Sequence, residues 1–189
     1  MNREIILMRH GQPALASVAK LSPAAMRGWI ADYEAASITA QPPSQASLEL
    51  AGRARRVISS SAPRALASLA ALGLEPQLSE SLFCEAQLPH GRWPLPRLSP
   101  FTWAFILRMR WLCGFNGQVE SADQARARAA QAASRLQSMA DEGPLLLMGH
   151  GFMNRLIGKQ LQAQGWTRHS RDGQGYWSAA VYRLPASSV

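Results

Sequence analysis

The sequence predicts an α/β fold, three-layered α/β/α around a mostly parallel central sheet. Two observations carry this. Apolar, strand-like runs each give way within a few residues to a helical pattern, and an arginine or histidine stands just past the carboxyl end of each run. The first run is EIILM, residues 4–8, short and continuous as in a strand buried on both faces. Arg9 and His10 follow it. The second is RVISS, residues 56–60, followed by APRALASLAALG, where Pro63 suits a first helical turn and Gly73 a C-cap. Arg64 falls at that junction. The third unit is PLLLMGHGFMNRLIGKQL, with Leu145 to Met148 as strand, Phe152 to Leu161 as helix and His150 between them.

Between the second and third units lies a basic, aromatic stretch, residues 92–117, with three tryptophans and three phenylalanines around a helix expected from Pro100 to Leu112. Trp103, Leu107 and Trp111 share one face by their spacing, while Phe101, Phe105, Arg108 and Leu112 share another. Such a helix is a core or homodimer-contact element, or else the wall of a ligand pocket to which Arg108 or Arg110 contributes. Membrane-surface attachment is a weaker third reading. Ser121 and Gln124 form a capping box that opens the next helix, whose ARARAAQAASRL run is an alanine-rich helix former with solvated arginines. His90 and His169 have no motif context and read as loop residues, His90 being the better placed to line a pocket.

Length and composition limit the rest. A chain of 189 residues, 47% hydrophobic, suits one domain over 1–189 with the 92–117 stretch as a decoration. Twenty basic residues against twelve acidic give a net charge of +8, and Lys20 and Lys159 are the only lysines. Anionic partners are favoured, either phosphate esters or nucleic acid. No nucleic-acid reader motif is present, so nucleic acid is not the expected partner. Cys84 and Cys113 have neither metal-site nor disulfide-framework spacing. The apolar stretch 5–8 is too brief for a signal-peptide core or a membrane span, which makes a cytoplasmic protein without stable membrane association the expectation.

Open α/β sheets assemble ligand sites at the carboxyl ends of their strands, and helices starting there aim free N–H groups at the same crevice. A single strand-end histidine is more often structural, and Arg64 alone would be a solvated helix-start residue. Arg9, His10, Arg64 and His150 recurring at equivalent topological positions describe a phosphate pocket instead.

These residues resemble the histidine phosphatase superfamily, the phosphoglycerate mutase-like family, whose hallmark is an RHG tripeptide closing the first strand. LMRHGQP carries that hallmark. ISSSAPRALAS resembles the family's SSPLxRAxxT pattern, with Ser61 at the usual proline and Ser68 at the usual threonine. LLLMGHGFMNRLI resembles the second histidine motif, with His150 and, five residues later, Arg155; GQVESADQARAR resembles the GES stretch before that strand. The matches run in family order from residue 8 to 155, while residues 14–56 and 86–117 depart from the pattern.

The resemblance implies a phosphoglycerate mutase-like fold and a small phosphorylated substrate, with no metal or other cofactor. It makes His10 the nucleophile, with one ring nitrogen free and the other donating to a backbone carbonyl or similar acceptor. Arg9, Arg64 and His150 would hold the phosphate oxygens, with Ser59 and Ser60 as supports. The general acid would come from LSESLFCEAQLP, where Glu85 fits the family's L-x-E segment better than Glu80. Apolar Leu82, Phe83 and Leu88 are expected to desolvate the Glu85 carboxyl and favour its protonated form. The activity implied is that of a phosphomonoesterase working through phosphohistidine. A phosphomutase or a non-catalytic phospho-ligand-binding protein are the alternatives.

Overall fold

The computed structural model describes residues 3–17 and 19–185. Three strands appear where the apolar runs stand: β1 (Glu4–Arg9), β2 (Arg56–Ser60) and, near the end of the chain, Leu145–Gly149. Between β1 and β2 lie two helices without a sequence-level counterpart, α1 (Met26–Ala35) and α2 (Gln45–Gly52). Then come α3 (Pro63–Ala71), β3 (Leu78–Glu80), α4 (Pro100–Leu112) and α5 (Ala122–Met139). The Leu145–Gly149 strand is thus β4, and α6 (Gly151–Ala163), β5 (Thr167–Asp172) and β6 (Ala179–Arg183) complete the order.

The sheet runs β3-β2-β4-β1-β6-β5. The pairings β3–β2, β2–β4 and β4–β1 are parallel, whereas β6 and β5 add an antiparallel edge. Burial on both faces explains why β1 and β4 are apolar at consecutive positions and why β2 is so at Val57 and Ile58 before its two buried serines. Ile5, Leu7, Ile58, Leu145 and Leu147 face α5 and α6, while Ile6, Met8, Val57, Leu146 and Met148 face Ala65 and Leu69 of α3 and Leu50 of α2. Helices therefore cover both faces, giving three layers.

A third cluster joins Leu21 and Met26 to Trp103 and Leu107, docking α1 on α4 away from the sheet. The face of α4 formed by Trp103, Leu107 and Trp111 is buried, as its spacing predicts, and the Trp103 indole donates to the Leu21 carbonyl at 3.0 Å. The opposite face is open: Phe101 and Phe105 are 61% and 65% exposed. Among the described residues no helix is long and apolar enough to cross a membrane.

Candidate active site

Strand register creates the site. In the parallel β1–β4 pair Arg9 lies opposite Gly149, so the residues that follow, His10 and His150, leave the sheet side by side. Ser59 of β2 lies opposite Met148 of β4, which brings Ser60 beside the same point. The imidazoles meet edge to face with ring centres 5.0 Å apart. Arg64, on the first turn of α3 behind Pro63, enters from the second unit. His10 is 2% exposed; Arg64 and His150 are wholly buried.

Hydrogen bonds fix both tautomers. His10 Nδ1 lies 2.7 Å from the Gly11 carbonyl oxygen, which can only accept, so Nδ1 carries the proton and Nε2 keeps its lone pair. Arg64 Nη2 is 3.2 Å from His150 Nδ1; a guanidinium can only donate, so His150 holds its proton on Nε2 and donates it to Ser60 Oγ at 2.7 Å. Burial, followed by the neighbouring His150, Arg64 and Arg9, pushes the His10 pKa down to about 3 against a weaker opposing effect of the Gly11 hydrogen bond. Burial and then Arg64, Arg9 and Arg128 hold that of His150 well below its ordinary value. Both imidazoles are neutral at physiological pH.

Ser68 ties the first two motifs together. Its hydroxyl accepts from Gly11 N at 2.8 Å and donates to the Arg64 carbonyl at 2.6 Å. Gly11 has a second role: a Cβ there would come within 2.6 Å of the Trp177 ring, so only glycine lets that ring brace the loop. Trp177 itself has φ +63°, a left-handed conformation costly for a bulky residue, held by Trp177 N donating to the His10 carbonyl and by Ser47 Oγ donating to the Trp177 carbonyl. This turn sets Tyr176 over Arg9, with 4.4 Å from the guanidinium carbon to the ring centre, and 5.8 Å from the His10 ring.

The far side of the pocket is closed by the last turn of α1. Tyr33 lies against the Arg64 guanidinium at 4.8 Å, and burial, the largest cause, raises its pKa to about 12, which keeps the phenol protonated. Arg64 donates to the Tyr33 carbonyl and to both carboxylate oxygens of Glu34 at 3.2 Å. A carboxylate therefore occupies the donors that the resemblance assigns to phosphate.

Above this pocket opens a cleft of about 1000 Å³. Arg9, Tyr33, Glu34, Glu85, Arg155 and Tyr176 line its polar end; Trp29, Phe101, Phe105 and Met109 form its apolar wall. Glu85 thus reaches the cleft, whereas Glu80 points elsewhere and pairs with Arg135 at 3.2 Å. The expected apolar setting of Glu85 needs correction. Its carboxylate caps the start of α6, with Oε1 accepting from Ala86 N and Met153 N and Oε2 from Phe152 N, at 2.8 to 3.0 Å. Phe83 instead turns into the core beneath the sheet.

His90 lines the cleft, but His169 sits on β5 and not in a loop. Arg108 also lines the cleft, its donors taken by the Ala86 and Gln87 carbonyls; Arg110 stacks on Trp93 and Phe115, away from the pocket. Sequence reasoning missed Tyr33, Glu34 and Tyr176. The only local signal was that Tyr176 follows Gly173 and Gly175; nothing near Glu34 announces its pairing with Arg64. Among the described residues no three His, Cys, Asp or Glu side chains converge as a metal-binding group.

No protein-family model and no curated protein sequence matches the chain. Solved structures do. A mycobacterial protein described as hydrolase 1 is 17% identical, with a TM-score of 0.62 and coverage of 97% of this chain and 91% of that one. The mycobacterial glucosyl-3-phosphoglycerate phosphatase in complex with VO3 is 18% identical at TM-score 0.61, covering 97% of each chain. Phosphoserine phosphatase from Entamoeba histolytica, in complex with 3-phosphoglyceric acid, is 16% identical at TM-score 0.57, covering 94% and 89%. The chain shares the fold of these three proteins, two of them phosphatases, a phosphoglycerate mutase-like α/β fold, in keeping with the histidine phosphatase resemblance of its motifs.

Proposed function

We propose that the protein is a metal-independent phosphomonoesterase of the histidine phosphatase superfamily, working through a phosphohistidine on His10. The observation that carries this reading is the Gly11 carbonyl holding the His10 Nδ1 proton, which leaves a neutral Nε2 lone pair near the buried Arg64 and the partly exposed Arg9. Nε2 attacks phosphorus; the P–N bond forms as the ester P–O bond breaks. Arg9 and Arg64 offset the charge on the phosphoryl oxygens, and His150 neighbours them, held in place by Arg64 and Ser60.

Glu85 serves as general acid toward the leaving alkoxide. Of its two oxygens, Oε2 accepts from a single N–H and so retains a lone pair for the proton. Once the alcohol has left, the same carboxylate takes a proton from water as that water attacks phosphorus, releasing inorganic phosphate and restoring His10. The apolar wall of Trp29, Phe101 and Phe105 favours an alcohol with an apolar body.

Rapid quenching during turnover of an aryl phosphate tests the reading. An acid-labile, base-stable phosphate should appear on the wild-type protein, and His10→Ala should lower turnover by about 10³-fold or more. A folded His10→Ala variant with wild-type turnover would overturn the assignment.

A further inference from the structure

We infer that the groove between α6 and the β5–β6 hairpin is a second oxyanion site, fitted to a phosphate or pyrophosphate group and distinct from the pocket over His10. Its cavity is about 280 Å³, at the small end of ligand pockets. Arg155 and Lys159, one turn apart on α6, line one side; Arg168 and Arg171 of β5 line the other. No acidic residue lines it, and among the described residues none of these four cations forms an ion pair.

The placement of the two strand arginines is built into the sheet. Residues three apart on a regular strand project from opposite faces. Here Arg168 pairs with Tyr182 and Ser170 with Val181, so His169 is an extra residue, and Arg171 then falls opposite Ala180. Tyr182 and Ala180 share a face, and both line the groove. The bulge therefore turns Arg168 and Arg171 to the same side, as bulges near functional sites re-aim side chains.

A second observation points to a ligand. Arg9 and Arg155 line this groove as well as the catalytic cleft, and the Arg9 Nε, beside Gly151, is buried without a hydrogen-bond partner among the described residues. A buried donor without a partner is uncommon, and an oxyanion in the groove would supply one. Apolar Leu7, Ala179 and Ala180 form part of the lining, which strengthens the field of the surrounding cations. The anion is either a second phosphoryl group on the substrate, a role that rests on the phosphatase reading, or a free oxyanion, which does not.

Calorimetric titration of pyrophosphate into the wild-type protein and into Arg168→Gln/Arg171→Gln, each with and without saturating orthovanadate over His10, tests the site. Both arginines are exposed on an edge strand, so the variant keeps the fold. Pyrophosphate binding should persist under vanadate and weaken by at least about tenfold in the double variant, with vanadate binding unchanged. Displacement of all pyrophosphate by vanadate, or equal pyrophosphate affinity in both proteins, overturns the site. So does retention of a single-stranded DNA oligomer that pyrophosphate fails to displace. Should vanadate bind neither protein, the phosphatase reading falls while the pyrophosphate arm still reports on the groove. A bisphosphate ester whose KM advantage over its monophosphate vanishes in the variant, at unchanged kcat, identifies the substrate as the source. Modulation of monoester turnover by pyrophosphate in the wild type alone identifies a free anion.

Discussion

The buried floor beneath the cleft and the cleft's outer wall are built in different ways. On the floor, His10, His150 and Ser60 leave neighbouring strands in fixed register, and Arg64 begins the next helix, tied to the His10 loop through Ser68. The wall comes from α1 and α4, which touch each other through Met26, Trp103 and Leu107 and lie off the sheet. Chemistry is placed by the part of the molecule with least freedom, and selectivity by a part whose position depends on side-chain packing. Substitutions in the two regions should accordingly act on different kinetic parameters.

The largest expected effect beyond loss of His10 is at Glu85. Glu85→Gln should slow an alkyl phosphate by about 10²- to 10⁴-fold, because a poor leaving group needs its proton. An activated aryl phosphate should lose far less in the phosphorylation burst. Equal loss on both esters would place Glu85 with the structural caps, and a leaving-group-dependent loss in Glu80→Gln would move the acid five residues earlier.

The floor also carries an acid liability. The folded chain keeps His10 neutral down to about pH 3, whereas the unfolded chain protonates it near its ordinary 6.5. Between those values the unfolded state binds more protons, so stability falls as pH drops, by up to about 1.4 kcal/mol per pH unit for each such histidine. His150, lowered in the same direction, adds to this. Denaturant midpoints measured from pH 7 to 4 should fall steeply for the wild type and less steeply for His10→Gln. Parallel slopes would mean that His10 is protonated in the folded state.

On the wall, Phe105→Ser should raise KM for an aryl or long-chain ester by up to about tenfold, the size expected for one aromatic contact, with kcat nearly unchanged. A matching loss for a small polar ester would show that α4 had shifted instead. The smallest effect belongs to Glu34, whose side chain is half exposed while it engages Arg64. Glu34→Gln should tighten competitive inhibition by phosphate about two- to fivefold, in line with a partly screened ion pair. Weaker inhibition would assign Glu34 to orienting Arg64 for the substrate.

The same division decides what could be read from the sequence. Strands at 4–8 and 145–148 announce themselves because burial on both faces demands a continuous apolar run, 56–60 by its β-branched Val57 and Ile58 before a helical pattern, and Pro100–Leu112 is found with the bounds its Ser-Pro start and apolar spacing suggest. His10, Arg64 and His150 follow from those runs. Tyr33 and Glu34 do not, since their role depends on α1 docking thirty residues from Arg64 in the chain. The β5 edge was equally silent: TRHSRD is exposed at every position and has no apolar alternation to betray a strand. Tyr176 owes its position to the left-handed Trp177, a conformation that no residue in that turn demands. The desolvated setting expected for Glu85 failed for a related reason, because neighbours in sequence are not neighbours in space once a helix start intervenes.

The pairing of Arg9 with Gly149 has a consequence for how this chain can go wrong. A slip of one residue between β1 and β4 would exchange the two faces of the sheet and at the same time part His10 from His150. On the phosphatase reading, a one-residue slip therefore costs the core and the site together. On that reading, specific activity per molecule would count correctly zipped strands, so the same pairing that builds the core also guards the site.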